Sequence, residues 1–295
     1  MKPHPLLIAA VFAALACGAA SAQTQAHTQA TDAPHTVRLM SYNIRYDAPD
    51  DTPHWTQRRP HMARQIAFFD PDILGVQEAL LPMVAYLAEQ APAYDHYGVG
   101  RDDGAQAGET TTLFWRRARF ETISTQTLWC STTPDRPSKG WDAALPRTVT
   151  RVVLRDRADG RLLDVRNAHF DHVGVIARER CAALAADLAP ASAEGVTAAV
   201  VLMGDFNTGP DSAPYRRILA SGLRDARAIS PVVFGPAGTY NAFDIAKDNE
   251  GIAIDHIFVG PGLSVERYGV PTDSFGGQVI SDHFPVVIDV ALDRR

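Results

Sequence analysis

Six short runs of strand-forming residues each stop on an acid, an amide or an imidazole, and this repeated ending constrains the fold more than any other feature of the chain. "VVLMGDFNTGP" at 200–210 runs out of apolar residues at Gly204 and sets down Asp205 and Asn207. Asn43 follows "RLMSY", Glu78 follows "DILGVQ" and His169 follows "LLDVRNA". Asp255 and His256 interrupt "IAIDHIFV", and Asp282 with His283 precede "FPVVIDV". Side chains two apart on a strand share a face, so Asp205 and Asn207 can reach one target. Taken singly, each of these residues is more often a turn or cap residue. As a set they call for strand ends that converge on one cleft.

The rest of the chain supplies the elements that such a cleft needs. Helical spacing over Arg58 to Phe69 puts Met62, Ile66 and Phe69 on one side, a second helix is expected at Leu81 to Glu89, and a third at Val175 to Leu188 with Ile176, Leu184 and Leu188 as its apolar positions. A short helix is expected at Ala213 to Ala220, and a strand near Ser264 to Gly269. The block 111–168 reads as antiparallel strands, "TTLFW", "RFETISTQTLW", "RTVTRVVL" and "LLDVRNAHF", separated by "PDRPSKG" and "RADGR". Asp171 in "HFDHVG" reads as a cap for the helix near Val175, and His172 as a surface histidine. No repeat, low-complexity tract or linker divides residues 36–295, so one domain is expected there.

The first 22 residues read as an export signal: Lys2, an apolar run over Leu6 to Ala16, then Ala20-Ser21-Ala22 before a cleavage point. The run is shorter than the roughly 20 residues that span a bilayer. Lipid anchoring at Cys17 is a lesser alternative, because "LACG" is near the lipoprotein pattern. Gln23 to His35, rich in Ala, Thr and Gln without an apolar period, is expected to be a disordered lead-in. The expected location is therefore periplasmic or secreted. Two cysteines, Cys130 and Cys181, remain after the leader, and one disulfide or two unpaired core thiols both fit.

Of the 295 residues, 46% are hydrophobic and 21% charged, enough apolar content for a sizeable core. The net charge of -6, one unit more negative without Lys2, argues against an extended surface that tracks nucleic-acid phosphates. Several carboxylates with a paired Asp and His suit a hard divalent cation, for which magnesium takes one or two carboxylates plus substrate phosphate. Glu78 and Asp282 suit that role. Neither a structural zinc spacing nor a glycine-rich phosphate loop is present in the sequence, which disfavours Walker-type chemistry. Phosphoryl hydrolysis fits, with a metal offsetting charge and a carboxylate or imidazole deprotonating water.

In this order, "SYNIRYD", "GVQEAL", "NAHFDHVG", "MGDFNTGP", "IDHIFV" and "SDHFPV" resemble the endonuclease/exonuclease/phosphatase superfamily, the deoxyribonuclease-I-like fold, over about residues 37–290. The resemblance implies an α/β four-layer α-β-β-α sandwich, two mixed sheets face to face with helices outside. It also implies roles. Glu78 is the main metal carboxylate, Asp282 completes the metal side, and Asn43 holds metal-bound water or phosphate. Asp205 activates water and Asn207 orients it. His283 donates to a phosphoryl oxygen with Asp255 fixing its ring, and His169 contacts phosphate or serves the leaving group. Whether Asp205 or the Asp255–His283 pair is the general base stays open.

"GVGRDDGAQAGETTTLFW" and "PSKGWDAALPR" look like an exported bacterial subgroup and offer Arg101, Glu109, Lys139, Trp141 and Arg147 for substrate contact, with packing as the alternative. The expectation is a magnesium-dependent, or manganese-dependent, phosphodiesterase or phosphatase acting as a monomer on a small-molecule or lipid-headgroup phosphoester. A secreted nuclease is the alternative within the class. A catalytically silent binding module is the alternative outside it. No apolar hairpin that would touch a membrane is evident in the sequence.

Overall fold

The computed structural model describes Met1, residues 36–246 and residues 251–292. The leader expected at 1–22, apart from Met1, and the lead-in at 23–35 lie outside the described residues. The chain divides at Ala33, and the unit Pro34–Arg295 carries every element described below.

Alternation along the strands builds two sheets whose inner faces meet. One sheet has seven strands in the order Val233–Phe234, Leu263–Gly269, Val286–Leu292, Thr36–Asn43, Ile73–Gln77, Leu113–Arg116 and Tyr94–Tyr97. The other has six, in the order Arg224–Asp225, Asp255–Val259, Ala199–Asp205, Leu162–His169, Thr148–Asp156 and Phe120–Trp129. Thr36–Asn43 runs parallel to Ile73–Gln77, and Leu162–His169 parallel to Ala199–Asp205. Val37, Leu39 and Ile73 from the first sheet pack with Val165, Val201, Met203 and Ile257 from the second in one buried core. Each fully buried aliphatic side chain of this kind contributes about 1.5–3 kcal/mol.

The alternate residues face outward and are covered by helices. Met40, Tyr42, Leu74 and Val76 pack against Trp55, Met62, Ile66, Met83, Val84 and Leu87 of helices Trp55–Phe69 and Leu81–Gln90. Val200, Leu202 and Phe258 pack against Cys181, Ala182, Ala185, Tyr215 and Ile218 of helices Val175–Asp187 and Ala213–Ala220. The architecture is the four-layer α-β-β-α sandwich. Within the core a polar pin joins the sheets: Gln77 Nε2 donates to Asn167 Oδ1 at 2.7 Å, and Asn167 Nδ2 donates to the carbonyls of Val76 and Thr112 at 2.9 and 3.0 Å.

Three local expectations change. The "TTLFW" strand, at Leu113–Arg116, belongs to the seven-stranded sheet, whereas the rest of the 111–168 block forms the antiparallel half of the other sheet. Helix Val175–Asp187 does not bury Ile176; its buried face is Ala177, Cys181, Ala182, Ala185 and Ala186. Small residues let that helix lie close to the sheet, and the Cys130–Cys181 disulfide fixes which face turns inward. Its cap is also non-local. Gly174 occupies the N-cap position, while Asp142 accepts the N–H groups of Ile176 and Ala177 at 3.2 and 2.7 Å. Asp171 instead accepts from Val173, Gly174, Ala144 and Leu145.

Candidate active site

The period of two that fills the core also aims the polar residues. Leu39 faces inward, so Ser41 and Asn43 do as well; Met203 faces inward, so Asp205 follows; and the same count places His169 after Val165 and Asp255 before Ile257. Register completes the convergence, for Asp205 lies opposite both His169 and Asp255 on its neighbouring strands. The strand can carry Asp205 so close to its neighbour because Gly204, at φ 146°, has no Cβ: one there would sit 1.9 Å from the Ala168 carbonyl oxygen.

Asn43 is the hub. Its Nδ2 donates to Asp205 Oδ2 at 2.9 Å and to Glu78 Oε1 at 3.0 Å and lies 3.5 Å from His283 Nε2, while its Oδ1 accepts the Arg45 N–H at 3.0 Å. Glu78 Oε2 accepts the Tyr46 N–H at 3.2 Å. His283 Nδ1 is 2.8 Å from Asp255 Oδ2, and its Nε2 is 3.8 Å from Asp205 Oδ2. His169 Nε2 stands 3.6 Å from the same oxygen. Asn207 donates its backbone N–H to Asp205 Oδ1 at 2.9 Å and its Nδ2 to the Phe170 carbonyl at 3.0 Å. Arg45, Glu78 and Asn207 all hold positive φ (52°, 62° and 48°), a left-handed conformation uncommon outside glycine that the surrounding bonds enforce at these three positions.

Burial sets the electrostatics. It raises the Asp205 carboxyl from its ordinary value, and the nearby Asp255 charge lifts it further, to about 7. Burial alone would lower His283, but the charges of Asp255 and Asp205 and the bond to Asp255 outweigh it and lift the imidazole to about 10. His169 goes the other way: burial and then the Arg147 guanidinium push it well below 6.5, which keeps the ring neutral. Asp282 and Glu109 are both raised, first by burial and then by the charge of Glu78.

These crowded carboxylates bear on the expected divalent ion. Glu78, His169 and Asp205 each bring a ligand atom within 4.8 Å of the others, as do Asp205, Asp255 and His283. The second group is an internal Asp–His ion pair. On the other side, Glu78 and the buried Asp282 repel one another, and the Arg45 guanidinium comes only to 3.8 Å from Asp282 while binding Asp51 at 2.8 and 3.0 Å. Glu78 and Asp205, with the His169 ring beside them, offer a donor set that fits a divalent cation.

A second wall flanks His169. Arg147 Nη1 lies 3.0 Å from the His169 ring nitrogens, Nη2 lies 2.9 Å from His172 Nδ1, and Nε lies 3.5 Å from Asp171. Arg101 donates to Glu109 at 2.6 Å. Arg101 and Arg147 are thus buried members of the site wall, each fixed by its own partner, while His172 is exposed, as expected of a surface histidine, and touches the wall through Arg147. Trp141, at φ 49°, stands exposed on the loop before Arg147, outside the Asn43–Asp205–His283 cluster. Two residues that sequence reasoning did not single out complete the mouth. Arg45 lies inside "SYNIRYD", where its proximity to Asn43 was the available signal, and Tyr240, whose ring packs edge-on against His283 at 5.1 Å, comes from a segment without any motif.

A four-layer sandwich with an Asp–His pair, a second buried aspartate and clustered carboxylates at its strand ends is the build of a phosphoester hydrolase. The family model described as Endonuclease/Exonuclease/phosphatase family matches residues 40–283. An endonuclease/exonuclease/phosphatase family protein from Bacteroides thetaiotaomicron is 35% identical, with a TM-score of 0.84, covering 89% of this chain and 100% of its own. A mannosyl-6-phosphatase from the same organism is 35% identical, with a TM-score of 0.82 and coverages of 87% and 100%. A family member from Bacteroides vulgatus is 33% identical, with a TM-score of 0.80 and coverages of 88% and 99%. No curated protein matches the chain. The chain belongs to the endonuclease/exonuclease/phosphatase family, whose members hydrolyse phosphoester bonds.

Proposed function

We propose that the protein is a magnesium-dependent hydrolase of small phosphoesters, exported from the cytoplasm, with sugar phosphates as the first substrates to try. The observation that carries the reading is Asp205 Oδ2, a buried carboxylate oxygen that faces Asn43, His169 and His283 at once. Glu78 and Asp282, with Asn43 beside them, would hold the ion. When bound, it supplies positive charge that offsets the charge on the phosphoryl group.

The chain's own residues divide the remaining work. Asp205 takes a proton from the attacking water as the new O–P bond forms, and Asn207 orients that water. His283, held by Asp255 and protonated across the neutral range, donates from Nε2 to a phosphoryl oxygen. Asp205 is thereby the base and His283 the electrostatic partner. The ester P–O bond breaks, and the alcohol leaves with a proton from solvent. Burial and then the Arg147 guanidinium keep His169 neutral, beside Asp205, where it would serve the leaving group.

The similarity to a mannosyl-6-phosphatase supports a phosphorylated sugar, and the net charge of -6 disfavours long nucleic acids. Export is supported by the pattern of the first 22 residues and by the Cys130–Cys181 disulfide, a bond that persists in oxidising compartments. The test is turnover of mannose 6-phosphate, p-nitrophenyl phosphate, bis-p-nitrophenyl phosphate and single-stranded DNA, each with magnesium, manganese or EDTA. Metal-dependent release of phosphate from the monoesters is expected. Faster cleavage of DNA than of any small ester would favour a nuclease, and silence on all four from folded protein would favour a binding module.

A further inference from the structure

We propose that Arg58, a residue outside the catalytic cluster, is the positioning residue that sets how tightly the site holds its divalent ion. This rests on the assignment of the ion to Glu78 and Asp282 with Asn43 beside them, and adds what holds those three in place.

Arg58 is 1% exposed and lies on the buried face of helix Trp55–Phe69. A guanidinium carries five N–H donors in one rigid plane and no acceptor. Here all five go to backbone carbonyls. Nε donates to Pro53 at 3.1 Å, Nη1 to Ile44 at 2.7 Å and to Ile280 at 3.3 Å, and Nη2 to Arg45 at 3.0 Å and to Tyr46 at 3.2 Å. The guanidinium carbon also lies 5.4 Å from the centre of the Trp55 ring and 5.5 Å from that of Phe243. A buried charge is costly to desolvate and is ordinarily paired with an acid. A helix that needed only an anchor at this point would be served by an apolar side chain. Carbonyl oxygens brought so close together repel one another, and a planar cation between them makes that backbone conformation possible.

The backbone so gathered is the one that orients the metal side. Arg45 gives its carbonyl to Arg58 and its N–H to Asn43 Oδ1 at 3.0 Å. Tyr46 gives its carbonyl to Arg58 and its N–H to Glu78 Oε2 at 3.2 Å. Ile280 leads into Ser281, whose Oγ donates to the Asn43 carbonyl at 2.8 Å, and then into Asp282. Phe243 belongs to the turn in which Asn241 donates its N–H to the Asp282 carbonyl at 2.7 Å. One side chain therefore stands a single residue behind both Asn43 and Glu78 and braces the two segments that flank Asp282.

A lysine at this position keeps the charge but has three donors on one nitrogen, so it cannot serve five carbonyls spread around a plane. Groups that orient metal ligands from behind typically change metal affinity by about 10–100-fold. Arg166 supplies the contrast. It is 0% exposed, and it bonds the Asp164 carboxylate and the carbonyls of Ala185 and Leu188, none of them in the catalytic cluster.

The experiment compares Arg58→Lys and Arg166→Lys with the unaltered protein. Magnesium binding is followed by isothermal calorimetry, folding by thermal melts, and magnesium dependence by turnover of p-nitrophenyl phosphate. Both variants are expected to melt lower. Only Arg58→Lys is expected to bind magnesium about tenfold or more weakly, with kcat recovering at saturating magnesium. A second measurement needs no variant: coupling is reciprocal, so magnesium should slow hydrogen exchange at the Arg45 and Tyr46 amides of the unaltered protein. Three results overturn the proposal: unchanged magnesium affinity in folded Arg58→Lys, an equal weakening in Arg166→Lys, or exchange at Arg45 and Tyr46 that is indifferent to magnesium. Magnesium binding without turnover of any phosphoester by the unaltered protein would instead sink the hydrolase reading and leave this coupling intact, whereas turnover without magnesium binding would do the reverse.

Discussion

Asp255 Oδ2 lies 2.8 Å from His283 Nδ1, and this one contact fixes both the direction of the imidazole and its charge. With Nδ1 engaged, Nε2 turns to Asp205 Oδ2, 3.8 Å away. The pairing predicts a bell-shaped pH dependence of kcat/KM. Activity falls on the acid side as Asp205 takes up a proton, at or below about 7 because a cation at Glu78 lowers the value further, and on the alkaline side as His283 loses its proton at about 10. Asp255→Asn removes the leading charge that raises both groups, so both limbs move to lower pH. The chemical step should also slow, on the order of a hundredfold or more, because the ring loses its anchor. A profile with limbs unmoved in Asp255→Asn would place His283's charge under other control.

Asp205→Asn separates chemistry from stability. The amide keeps the shape and an acceptor for Asn43 or Asn207 but takes no proton, so turnover should drop by about a thousandfold or more. Since burial disfavours the ionised Asp205, removing the charge should leave the melting temperature unchanged or higher at pH 8. Calorimetry beside single-turnover kinetics checks both halves. Near-normal turnover in this variant would move the base to His283.

Much of this cluster was legible because strand periodicity and register act on residues that sequence displays directly. Asn43, Asp205 and Asp255 each end or begin an apolar alternation, and inward facing could be counted from Leu39, Met203 and Ile257. What escaped was whatever depended on side-chain reach or on two distant segments. Arg45 and Tyr240 enter the mouth through turns whose conformation no local pattern fixes. The fully buried face of helix Val175–Asp187 is alanine and cysteine, because close packing and the disulfide outrank the larger Ile176, while Leu184 packs partly buried against the same core. Trp141 was legible as a candidate for substrate contact, but the Asp142 and Asp171 bridges that join its loop to the start of helix Val175–Asp187 were not.

Glu78 and Asp282 carry the metal prediction. EDTA should abolish turnover and added magnesium should restore it. Glu78→Gln should raise the magnesium concentration needed for half-maximal activity by more than about tenfold, because a neutral amide replaces a carboxylate ligand. Magnesium titration of the variant beside the unaltered protein, with binding followed by isothermal calorimetry as well as by activity, reads this out. Full activity in EDTA would remove the metal from the mechanism.

Gly204→Ala tests the backbone that delivers Asp205. The added methyl would sit 1.9 Å from the Ala168 carbonyl oxygen at a φ that side chains rarely adopt, so the two strands must separate. Destabilisation of about 3 kcal/mol or more is expected, measured by urea denaturation. A shift below about 1 kcal/mol would show that the strand pair tolerates a wider spacing.

The Cys130–Cys181 disulfide should govern stability and the site wall together. It closes a separation of 51 residues, for which chain entropy predicts about 4 kcal/mol at 25 °C. Cys130→Ser/Cys181→Ser should therefore melt several degrees lower. Its consequence for function runs through the backbone: the Cys130 N–H donates to the Arg147 carbonyl at 2.8 Å, so loosening Cys130 loosens the loop that holds Arg147 against His169. KM for a small phosphoester should rise more than kcat falls, because Asp205, Asp255 and His283 are held by the pairing of Asp205 with Asp255 and by the Asp255–His283 contact, not by the Cys130–Arg147 bond. Thermal melts and steady-state kinetics of the oxidised protein, the reduced protein and the double variant distinguish this from a purely global loss, in which kcat and the folded fraction would fall together with KM unchanged.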